Sequence, residues 1–496
     1  MKLKTLFVCL LAFSMLLVTL SGCQSEKPHV ESETQTQPVT NDDPDNPNIA
    51  PIDGGESKFN IWVRQAGTEY LFKYSEVQDT EDYGDIVNNA VFGRNMTLED
   101  KYNIIITTKE NSNYSTSQFV TDLEKNEMSG EQAFDMVMPM IESAFFAACK
   151  GLLTEWDLIP FVDETKNYWM TEIFDSTSIG GYQFMCPGAE NLSAYNTVQV
   201  MFFNKWMHNN LGLENIYDMV KNKEWTQQAM YEMARKATSD LDGLGMGAED
   251  IYGVVSGSVC WQSYFYASGK TLVTKDDAGI PMLTGLTDNM SDTFDKISYI
   301  VNQMNNDSQA GISTRIGWSG QVPERFAQNQ CLFFVEGIYG QYKILDMVND
   351  YGIVPIPTWE EGVDYYSFVH ATHSSTCAIP KEARDLNLSG AVMEDMAYYS
   401  QKIVIPEYYE KVIHLRNVRD SESYEMLDIV FEHIIIDLAQ VMKSTGLTID
   451  TEIRSFVSDN KTDIISSTLG GKLDGYSEVI KELASAFTKQ GALQYQ

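Results

Sequence analysis

The sequence predicts an α/β fold in two lobes, and three observations support this prediction. Short apolar runs of strand length alternate with segments of helical periodicity, which is typical of βαβ units around a parallel sheet. About 440 residues follow the polar stretch that ends near residue 57, and this length is enough for two hydrophobic cores of ordinary size. The sequence contains no internal repeat and, after its first 22 residues, no apolar segment of membrane length.

The strand and helix candidates follow one another in order along the chain. Apolar runs of strand length in the first part occupy residues 59–63, 104–106 and 134–138. Apolar residues at helical spacing lie between them: Ile86, Ala90, Val91 and Leu98, then Phe119 and Leu123. Helices and strands are predicted again later in the chain. Helices are expected at 227–238 and 293–305, strands at 331–335 and 351–356, and mostly helix from 424 onward.

The first residues of the sequence indicate where in the cell the protein is located. Two lysines precede an apolar run at residues 6–20, which is too short to span a bilayer comfortably and is typical of a cleaved signal. The run ends in Leu-Ser-Gly-Cys at residues 20–23, and this ending resembles a bacterial lipoprotein signal. We therefore expect removal of residues 1–22 and lipidation of Cys23, which would hold the protein at the extracellular face of the cell membrane.

Residues 23–57 are predicted to form a disordered tether behind the lipidated cysteine. The segment consists mainly of Ser, Thr, Glu, Asp, Pro and Gln, so it buries too little apolar surface to offset the entropy of ordering. Its expected role is to hold the globular body clear of the membrane.

Charge and cysteine content narrow the possible partners. Acidic residues number 70 and basic residues 35, which disfavours a nucleic acid or an anionic membrane surface as the partner. Outside the signal and the anchor, the cysteines are Cys149, Cys186, Cys260, Cys331 and Cys377. They are far apart and odd in number, so we interpret them as small buried residues rather than a disulfide framework.

Motifs of common enzyme classes are missing from the sequence. It has no GxSxG, no HExxH, no Walker-type glycine loop and no GxGxxG after a strand. Paired carboxylates for glycoside hydrolysis are compatible with so acidic a chain, but any two carboxylates are more often solvated surface groups. We therefore expect neither catalysis nor a cofactor.

Two polar groupings are compatible with a metal ion. His370 and His373 are three residues apart near Asp364, where a structural or ligand-facing role is the alternative. A second grouping, in a Gly-rich segment, comprises Asp240, Asp242 and Glu249. Its spacing departs from that of a calcium loop. We expect an ordinary loop there and no metal at either grouping.

Four parts of the chain carry a resemblance to a known family. They are FDMV at 134–137 with GLLTEW at 151–156, VMFFNK at 200–205 with EWT at 224–226, residues 326–339 with YGIVPIP at 351–357, and residues 368–380. In order and spacing they resemble the family 1 extracellular solute-binding proteins, the carbohydrate-type binding proteins of ABC importers. The resemblance covers nearly all of residues 58–430.

This resemblance implies a periplasmic-binding-protein-like fold of type II, in which two α/β lobes close about a hinge. By position, it implies a first lobe of residues 58–188 with 371–413 and a second lobe of residues 189–370 with 414–496. It also implies a carbohydrate ligand, most simply an oligosaccharide, and permease subunits in the membrane as partners of a monomeric protein.

Sugar capture requires aromatic rings that stack on sugar faces and polar groups that bond hydroxyls, beyond the carboxyl ends of the strands. Polar residues follow the first strand at Arg64, Gln65 and Glu69, and they follow the third at Glu142 and Ser143. The remaining candidates, most of them from the resemblance, are Glu190, Asn191, Trp261, Tyr264, Trp318, Glu336, Tyr339 and His370.

The tryptophans divide into structural and ligand-facing candidates. Trp62 alternates within a strand and is expected in the core, whereas Trp156, Trp206 and Trp225 are expected to pack helices. Trp261 is the strongest candidate for stacking on a sugar ring, with a core position as the alternative.

The sequence therefore predicts a binding subunit of an ABC importer that captures a carbohydrate without catalysis. A peptide or another polar solute is an alternative cargo. A sensory binding protein that presents its ligand to a membrane receptor is a second alternative, and a lipid-anchored glycan hydrolase or lyase is a third.

The lipid anchor can be tested directly. Cells given a labelled lipid precursor should label the wild-type protein and not the Cys23→Ala variant, because the Cys23 thiol is the expected acceptor of the diacylglyceryl group. Equal labelling of the two proteins would contradict the anchor.

Overall fold

The computed structural model describes residues 43–65, 74–78, 80–81, 84–111, 116–247, 249–256, 260–284, 290–306, 321–413, 421–459, 461 and 464–496. Cys23, Glu69 and Trp318 lie outside these residues. Contacts divide the chain after Thr40 into two units, and all of the described residues belong to the second. None of the helices described combines the length and apolarity needed to cross a bilayer.

The strands alternate with helices for most of the chain. The strands are β1 Ser57–Arg64, β2 Ile104–Asn111, β3 Met136–Met138, β4 Gln199–Asn204, β5 Tyr252–Val255, β6 Val273–Lys275, β7 Pro281–Leu283, β8 Cys331–Gly337, β9 Tyr351–Val354, β10 Ser367–Phe368 and β11 Ile434–Ile435.

The α-helices are α1 Ile86–Tyr102, α2 Thr116–Ser129, α3 Ile141–Cys149, α4 Thr171–Thr177, α5 Leu192–Asn196, α6 Lys205–Asn210, α7 Ile216–Lys221, α8 Gln227–Ala237, α9 Cys260–Tyr266, α10 Met290–Asn306, α11 Gln321–Ala327, α12 Leu386–Tyr399, α13 Ile405–Ile413, α14 Ser421–Glu432, α15 Leu438–Val441, α16 Ile449–Asp459, α17 Ile465–Gly470 and α18 Leu473–Leu493. Short 3-10 helices cover Trp156–Leu158, Ile338–Lys343 and Lys443–Thr445, and a π-helical turn at Ser400–Val404 joins α12 to α13.

The first sheet has the order β2-β1-β3, and its strands are parallel. β1 is the central strand, and Trp62 pairs in register with Lys109 of β2 and Val137 of β3. The carboxyl half of β1 is buried, as expected for a strand covered by helices on both faces. The predicted strands and the parallel arrangement are confirmed in this sheet.

The second sheet has the order β5-β8-β4-β9, and its strands run in both directions. β4 is antiparallel to β8 and to β9, whereas β5 is parallel to β8. The expectation of a parallel sheet was therefore wrong for β4. Alternation of strands and helices predicts parallel strands only where a crossover helix joins two strands of the same sheet. The chain instead enters β4 from the segment that leaves the first sheet, so the alternation does not determine the direction of β4.

Local signals account for the ends of α1. The Asp85 side chain caps the helix by accepting hydrogen bonds from the backbone N–H groups of Val87 and Asn88. Asn103 ends it in the left-handed conformation at φ 48°. The buried face includes Val91, as predicted, but Ile86 in the first turn is half exposed.

The tryptophans that were expected in the core or in helix packing are buried, with one exception. Trp62 is buried, packs edge-on against Phe119 at 4.8 Å and donates to Asp122 Oδ2 at 3.2 Å. Trp156 and Trp225 are also buried. Trp206 was wrongly placed in a helix interface, since its side chain is 50% exposed. α6 has only 6 residues, and its buried side chains are those of Met207 and His208.

Two of the segments that connect the sheets are the outgoing segment, residues 189–198, and the return segment, residues 369–378. The return segment pairs antiparallel with β3 and with the residue that follows it by two, as Ala378 does with Val137 and Ser375 with Met140. Cys377 pairs in the same way with Cys186, and each backbone N–H donates to the other residue's carbonyl at 3.1 Å. Four of the five described cysteines are buried, which agrees with the prediction of small buried residues.

The predicted tether ends earlier than residue 57, because residues from Asp43 onward contact the body. Asp43 accepts from the Tyr398 hydroxyl at 3.1 Å and pairs with Lys402 at 2.8 Å. Gly54 N–H donates to the Tyr102 carbonyl at 2.7 Å. Composition alone did not predict these contacts, since the partners lie elsewhere in the chain, and Tyr398 is 355 residues from Asp43.

The last helix, α18, packs against elements that precede the outgoing segment. Phe487 stacks with Phe145 at 5.3 Å and meets Phe184 edge-on at 4.8 Å. Just after the helix, Gln494 Nε2 donates to the Leu153 carbonyl at 2.9 Å. The sequence assigned this region to the second lobe by position, and the lobe boundaries stay a prediction. The packing favours α18 as part of the first lobe.

Phe487→Ala should destabilise the protein by about 3–5 kcal/mol, because it removes a fully buried ring and leaves a cavity between α18 and α3. Chemical denaturation should detect this change. Glu482→Ala, on the exposed face of the same helix, should change the free energy of unfolding by less than about 0.5 kcal/mol. Similar losses in both variants would contradict the docking of α18.

Candidate functional site

The carboxyl ends of the three parallel strands meet at one edge of the first sheet. Gln65 N–H, just after β1, donates to the carbonyl of Asn111 at the end of β2 at 3.1 Å. Ser143 Oγ, after β3, donates to Thr116 Oγ1 at the start of α2 at 3.1 Å. The structure therefore brings together the candidates from the first and third strand ends, where ligands bind in α/β sheets.

Glu142 occupies the first turn of α3 at this edge and is only 6% exposed. Its Oε1 accepts a hydrogen bond from the Ser444 hydroxyl, which belongs to the 3-10 helix near the C-terminus. Burial raises the pKa of Glu142 to about 7, and the nearby Lys443 charge opposes this rise. The carboxyl group is thus poised to gain or lose a proton near neutral pH.

A chain of polar contacts leads from Ser444 toward the candidate aromatic platform. The neighbouring Lys443 pairs with Asp450 Oδ2 at 3.3 Å. Asp450 Oδ1 accepts from Gln262 Nε2 on α9, the helix that also carries Trp261. Trp261 is fully buried, and its Nε1–H has no hydrogen-bond partner among the described residues. Contact between Trp261 and a ligand would therefore require the surrounding segments to move apart.

Tyr264, on the same helix, is directed into the protein. It is 3% exposed, and its hydroxyl lies 3.9 Å from the Met230 sulfur. Its carbonyl accepts hydrogen bonds from Gln227 Nε2 at 3.0 Å and Trp359 Nε1 at 3.1 Å. These contacts favour a packing role for Tyr264 in this conformation.

Glu336 and Tyr339 lie together at the end of β8. The Tyr339 hydroxyl donates to Glu336 Oε1, and Lys343 pairs with Glu336 Oε2 at 3.1 Å. The carboxylate, the phenol and the ammonium therefore form a partly exposed polar group on the second sheet. Such a group has the donors and acceptors that a polyhydroxylated ligand needs.

The outgoing and return segments are joined by one buried carboxylate that the sequence did not single out. Glu76 Oε1 accepts from the backbone N–H of Ser193 at 3.0 Å and from its hydroxyl at 2.8 Å. The Ser375 hydroxyl of the return segment donates to the same oxygen. Asn191, a predicted ligand residue, donates from Nδ2 to Ser375 Oγ at 3.1 Å. Glu76 and Asn191 therefore hold the two crossings together.

Glu190 lies inside this junction and is fully buried. Its Oε1 accepts from the Cys377 thiol at 2.7 Å, whereas its Oε2 has no hydrogen-bond partner among the described residues. A side chain at Gly188 would collide with this carboxyl group, so the glycine allows its close approach. Burial raises the pKa of Glu190 to about 7, although the Arg94 charge opposes the rise.

Arg94 is the buried cation of the junction. It donates from Nη1 to Ser400 Oγ at 2.8 Å and from Nη2 to the Glu76 carbonyl at 2.8 Å. Burial lowers its pKa to about 10, with Glu190 and Glu76 among the charges that oppose the fall. Arg94 carries one positive charge near the carboxyl groups of Glu76 and Glu190. Protonation of Glu190 therefore leaves one positive and one negative charge in the junction.

The two histidines of the return segment are joined by a hydroxyl. Thr372 Oγ1 lies 2.9 Å from Nδ1 of His370 and 2.9 Å from Nδ1 of His373, and the rings meet edge-on at 4.7 Å. Asp364, the acidic residue closest in sequence, instead pairs with Lys223 at 2.6 Å. His370 was a predicted ligand residue, and the structure adds His373 beside it.

The Gly-rich acidic loop brings a different set of carboxylates together from the predicted one. Oxygens of Asp240, Asp242 and Asp250 lie within 4.8 Å of one another, with Asp250 buried and the other two exposed. Asp250 takes the place expected for Glu249. Backbone N–H groups of the loop donate to these carboxylates, for example Leu241 N–H to Asp250 Oδ1 at 2.8 Å. The loop is thus held by its own hydrogen bonds.

Solved structures share this fold. The M. tuberculosis protein UspC matches with a TM-score of 0.56 at 13% identity, over 85% of this chain and 100% of the other. A cyclo/maltodextrin-binding protein complexed with maltotetraose matches with a TM-score of 0.55 at 12% identity. The match covers 87% of this chain and 97% of the other. An ABC transporter solute-binding protein from Thermotoga lettingae, bound with α-D-tagatose, matches with a TM-score of 0.51 at 14% identity. The match covers 88% of this chain and 99% of the other.

No protein-family model matches the sequence, and no curated protein matches it either. At identities this low the structural matches establish the fold alone. The chain therefore has the two-lobed α/β fold of solute-binding proteins, with a hinge between the lobes, as the sequence predicted.

Glu190→Gln should stabilise the protein more at pH 8 than at pH 5. The pKa of Glu190 is raised from its ordinary 4.5 to about 7, so its protonated form stabilises the fold at low pH, and that contribution is lost as the pH rises toward 7. Glutamine does not titrate, so the difference between variant and wild type should grow by about 1–3 kcal/mol.

Thermal unfolding of both proteins from pH 5 to pH 8 measures this difference. The exposed Glu478→Gln should show no such trend and serves as the control. A difference that stays constant with pH would show that Glu190 is ionised throughout.

Proposed function

We propose that this protein is the binding subunit of an ABC importer and that it captures a carbohydrate, most simply an oligosaccharide, between its two lobes. The observation that carries the proposal is the two-lobed fold joined by the Glu76 junction, with polar and aromatic residues at the strand ends. Ligand would stabilise the closed arrangement, and a membrane permease would respond to that closure. The protein itself would perform no catalysis.

Structural neighbours support the choice of ligand. Two of them were solved with a bound carbohydrate, one with maltotetraose and the other with α-D-tagatose. The candidate residues of this chain include the donors, acceptors and aromatic rings that sugar binding needs: Arg64, Gln65, Glu142, Ser143, Trp261, Glu336, Tyr339 and His370. We propose further that Cys23 anchors the protein at the extracellular face of the membrane, with the tether behind it.

Three alternatives stay open. A peptide or another polar solute would use the same hinge and the same polar groups. A sensory protein would present its closed form to a receptor instead of a permease. A glycan hydrolase or lyase would release product from its ligand.

A thermal-shift screen of residues 24–496 tests the proposal. Mono- and oligosaccharides form one set and peptides form another, and product analysis on each responding sugar detects turnover. A ligand at 100 times its Kd should add about 2.7 kcal/mol to the stability of the native state. A response to a sugar series without turnover supports the proposal, whereas a response to peptides alone, or to nothing, contradicts the carbohydrate assignment.

A matched pair of variants tests the aromatic platform. Trp261→Ala should lose about fivefold or more in affinity for the responding sugar, since stacking on aromatic rings contributes about 1 kcal/mol or more. Trp206→Ala, at a half-exposed position, should leave the affinity unchanged. A folded Trp261→Ala protein with unchanged affinity would exclude Trp261 from the site.

A further inference from the structure

Two cysteines face each other where the return segment passes the residues that precede the outgoing segment. Cys186 and Cys377 pair antiparallel, and each backbone N–H donates to the carbonyl of the other residue at 3.1 Å. Residues that exchange both hydrogen bonds in this way have Cα atoms about 5.5 Å apart and side chains on the same face. A disulfide bond requires Cα atoms about 4.4–6.8 Å apart, so this pair has the backbone spacing of a disulfide.

The backbone on both sides of the pair holds this spacing. The next residue of the return segment, Ala378, exchanges hydrogen bonds of 3.0 and 3.1 Å with Val137 of β3. Two residues after Cys186, Gly188 pairs antiparallel with Trp169. Both cysteines therefore lie in chain segments whose neighbouring residues are themselves paired, which limits how far the two Cα atoms can separate.

Both thiols are free and fully buried in this structure. The Cys377 thiol donates to Glu190 Oε1 at 2.7 Å, and the Cys186 thiol donates to the Pro187 carbonyl at 3.4 Å. Rotation of each side chain about its Cα–Cβ bond would exchange these contacts for a bond between the two sulfurs. Cβ atoms of such a pair are about 4.5–5.5 Å apart, at or above the usual disulfide range, so the bond would be strained. Strained disulfides are easily reduced, which favours a reversible bond over a structural one.

The other three cysteines of the described residues are placed differently. Cys149 and Cys260 lie on helices, at the end of α3 and at the start of α9. Cys331 begins β8 and pairs with Tyr252 of β5. Within the part of the chain that the structure describes, the strand pairings therefore bring only Cys186 and Cys377 opposite each other.

Glu190 supplies a proton acceptor next to one of the two thiols. Thiol oxidation proceeds through the thiolate, and burial raises the pKa of both Cys186 and Cys377 well above the usual range. The Glu190 carboxyl group already accepts the hydrogen bond of the Cys377 thiol. Its own pKa of about 7 allows the carboxylate to take the thiol proton near neutral pH. The carboxylate thus offsets part of the protection that burial gives to Cys377.

We propose that Cys186 and Cys377 are a redox modification site, at which a peroxide converts the two thiols into a reversible disulfide bond. Hydrogen peroxide is small and uncharged, so a local opening of the chain is enough to admit it. This site is independent of the identity of the ligand and goes beyond the proposed function.

The reaction has two steps. Glu190 takes the Cys377 proton, the thiolate attacks one oxygen of hydrogen peroxide, and the O–O bond breaks to give a sulfenic acid and hydroxide, which recovers the proton from Glu190 as water. Cys186 Sγ then attacks the sulfenic sulfur, the S–O bond breaks, and a second water leaves with the Cys186 proton. The two thiols lose two electrons, and one peroxide molecule is reduced to two waters.

Oxidation would change the contacts that join the outgoing and return segments. Glu190 would lose the thiol that donates to its Oε1, while its Oε2 already has no hydrogen-bond partner among the described residues. Ser375, two residues before Cys377, donates to Glu76 Oε1 and belongs to the same stretch of the return segment. The modification site is therefore part of the junction.

Peroxide treatment of the folded protein, residues 24–496, tests the site. Remaining thiols are then alkylated in denaturant, and the peptides are analysed by mass spectrometry with and without a reducing agent. A peptide pair joined through Cys186 and Cys377 should appear and should disappear on reduction. Cys149→Ser, at a partly exposed position, should retain this link. In Cys186→Ser the sulfenic acid of Cys377 has no thiol to react with, so dimedone should label it.

Glu190→Gln tests the proton acceptor separately from the backbone spacing. Glutamine cannot take the thiol proton, so the initial rate of cross-linking should fall several-fold, whereas prolonged treatment should join the same two cysteines. The exposed Glu478→Gln should react at the wild-type rate. Equal rates in Glu190→Gln and the wild type would overturn the role of Glu190.

The remaining outcomes decide the site itself. If Cys186 and Cys377 stay reduced in the treated protein, or are joined to other cysteines, the site is overturned. The same result follows if the link forms only in samples that circular dichroism shows to be unfolded, because the paired backbone is then not its template. A link formed in the folded protein and lost in Cys186→Ser supports it.

Discussion

The hydrogen bonds of one Glu76 oxygen join the outgoing segment to the return segment. The outgoing segment contributes Ser193 and the return segment contributes Ser375, and both donate to the same Oε1. A buried carboxylate is costly unless several donors satisfy it, so this junction specifies how the two segments pass each other. The outgoing segment leads directly into β4 of the second sheet, and the return segment pairs with β3 of the first.

The same junction contains groups whose charges are closely balanced. Arg94 is buried with Glu76 and Glu190, and the Glu190 carboxyl group accepts from the Cys377 thiol through Oε1, whereas its Oε2 has no hydrogen-bond partner among the described residues. The raised pKa of Glu190 is the physical consequence of this poor solvation. Glu190 and Asn191 were predicted as ligand residues, and that prediction stays untested; in this conformation their side chains contact Ser375 and Cys377 of the return segment.

The candidate site depends on convergence of distant segments. Strand ends supply Arg64 and Glu142, the return segment supplies the histidines, and the C-terminal region supplies Lys443, Ser444 and Asp450. Trp261 is buried beside this network, so contact with a ligand would require the surrounding segments to move apart.

The sequence by itself determined the α/β class, most strand and helix positions, and the polar residues at the ends of β1 and β3. These features could be predicted because hydrophobic periodicity and the ends of strands depend on residues that are close together in the chain. Only the tertiary structure decided the antiparallel direction of β4, the docking of residues 43–56 and α18, and the partners of Glu76, His373 and Asp450. Those features depend on contacts between residues far apart in the chain, whose burial and pairing energies leave no pattern in the neighbouring sequence.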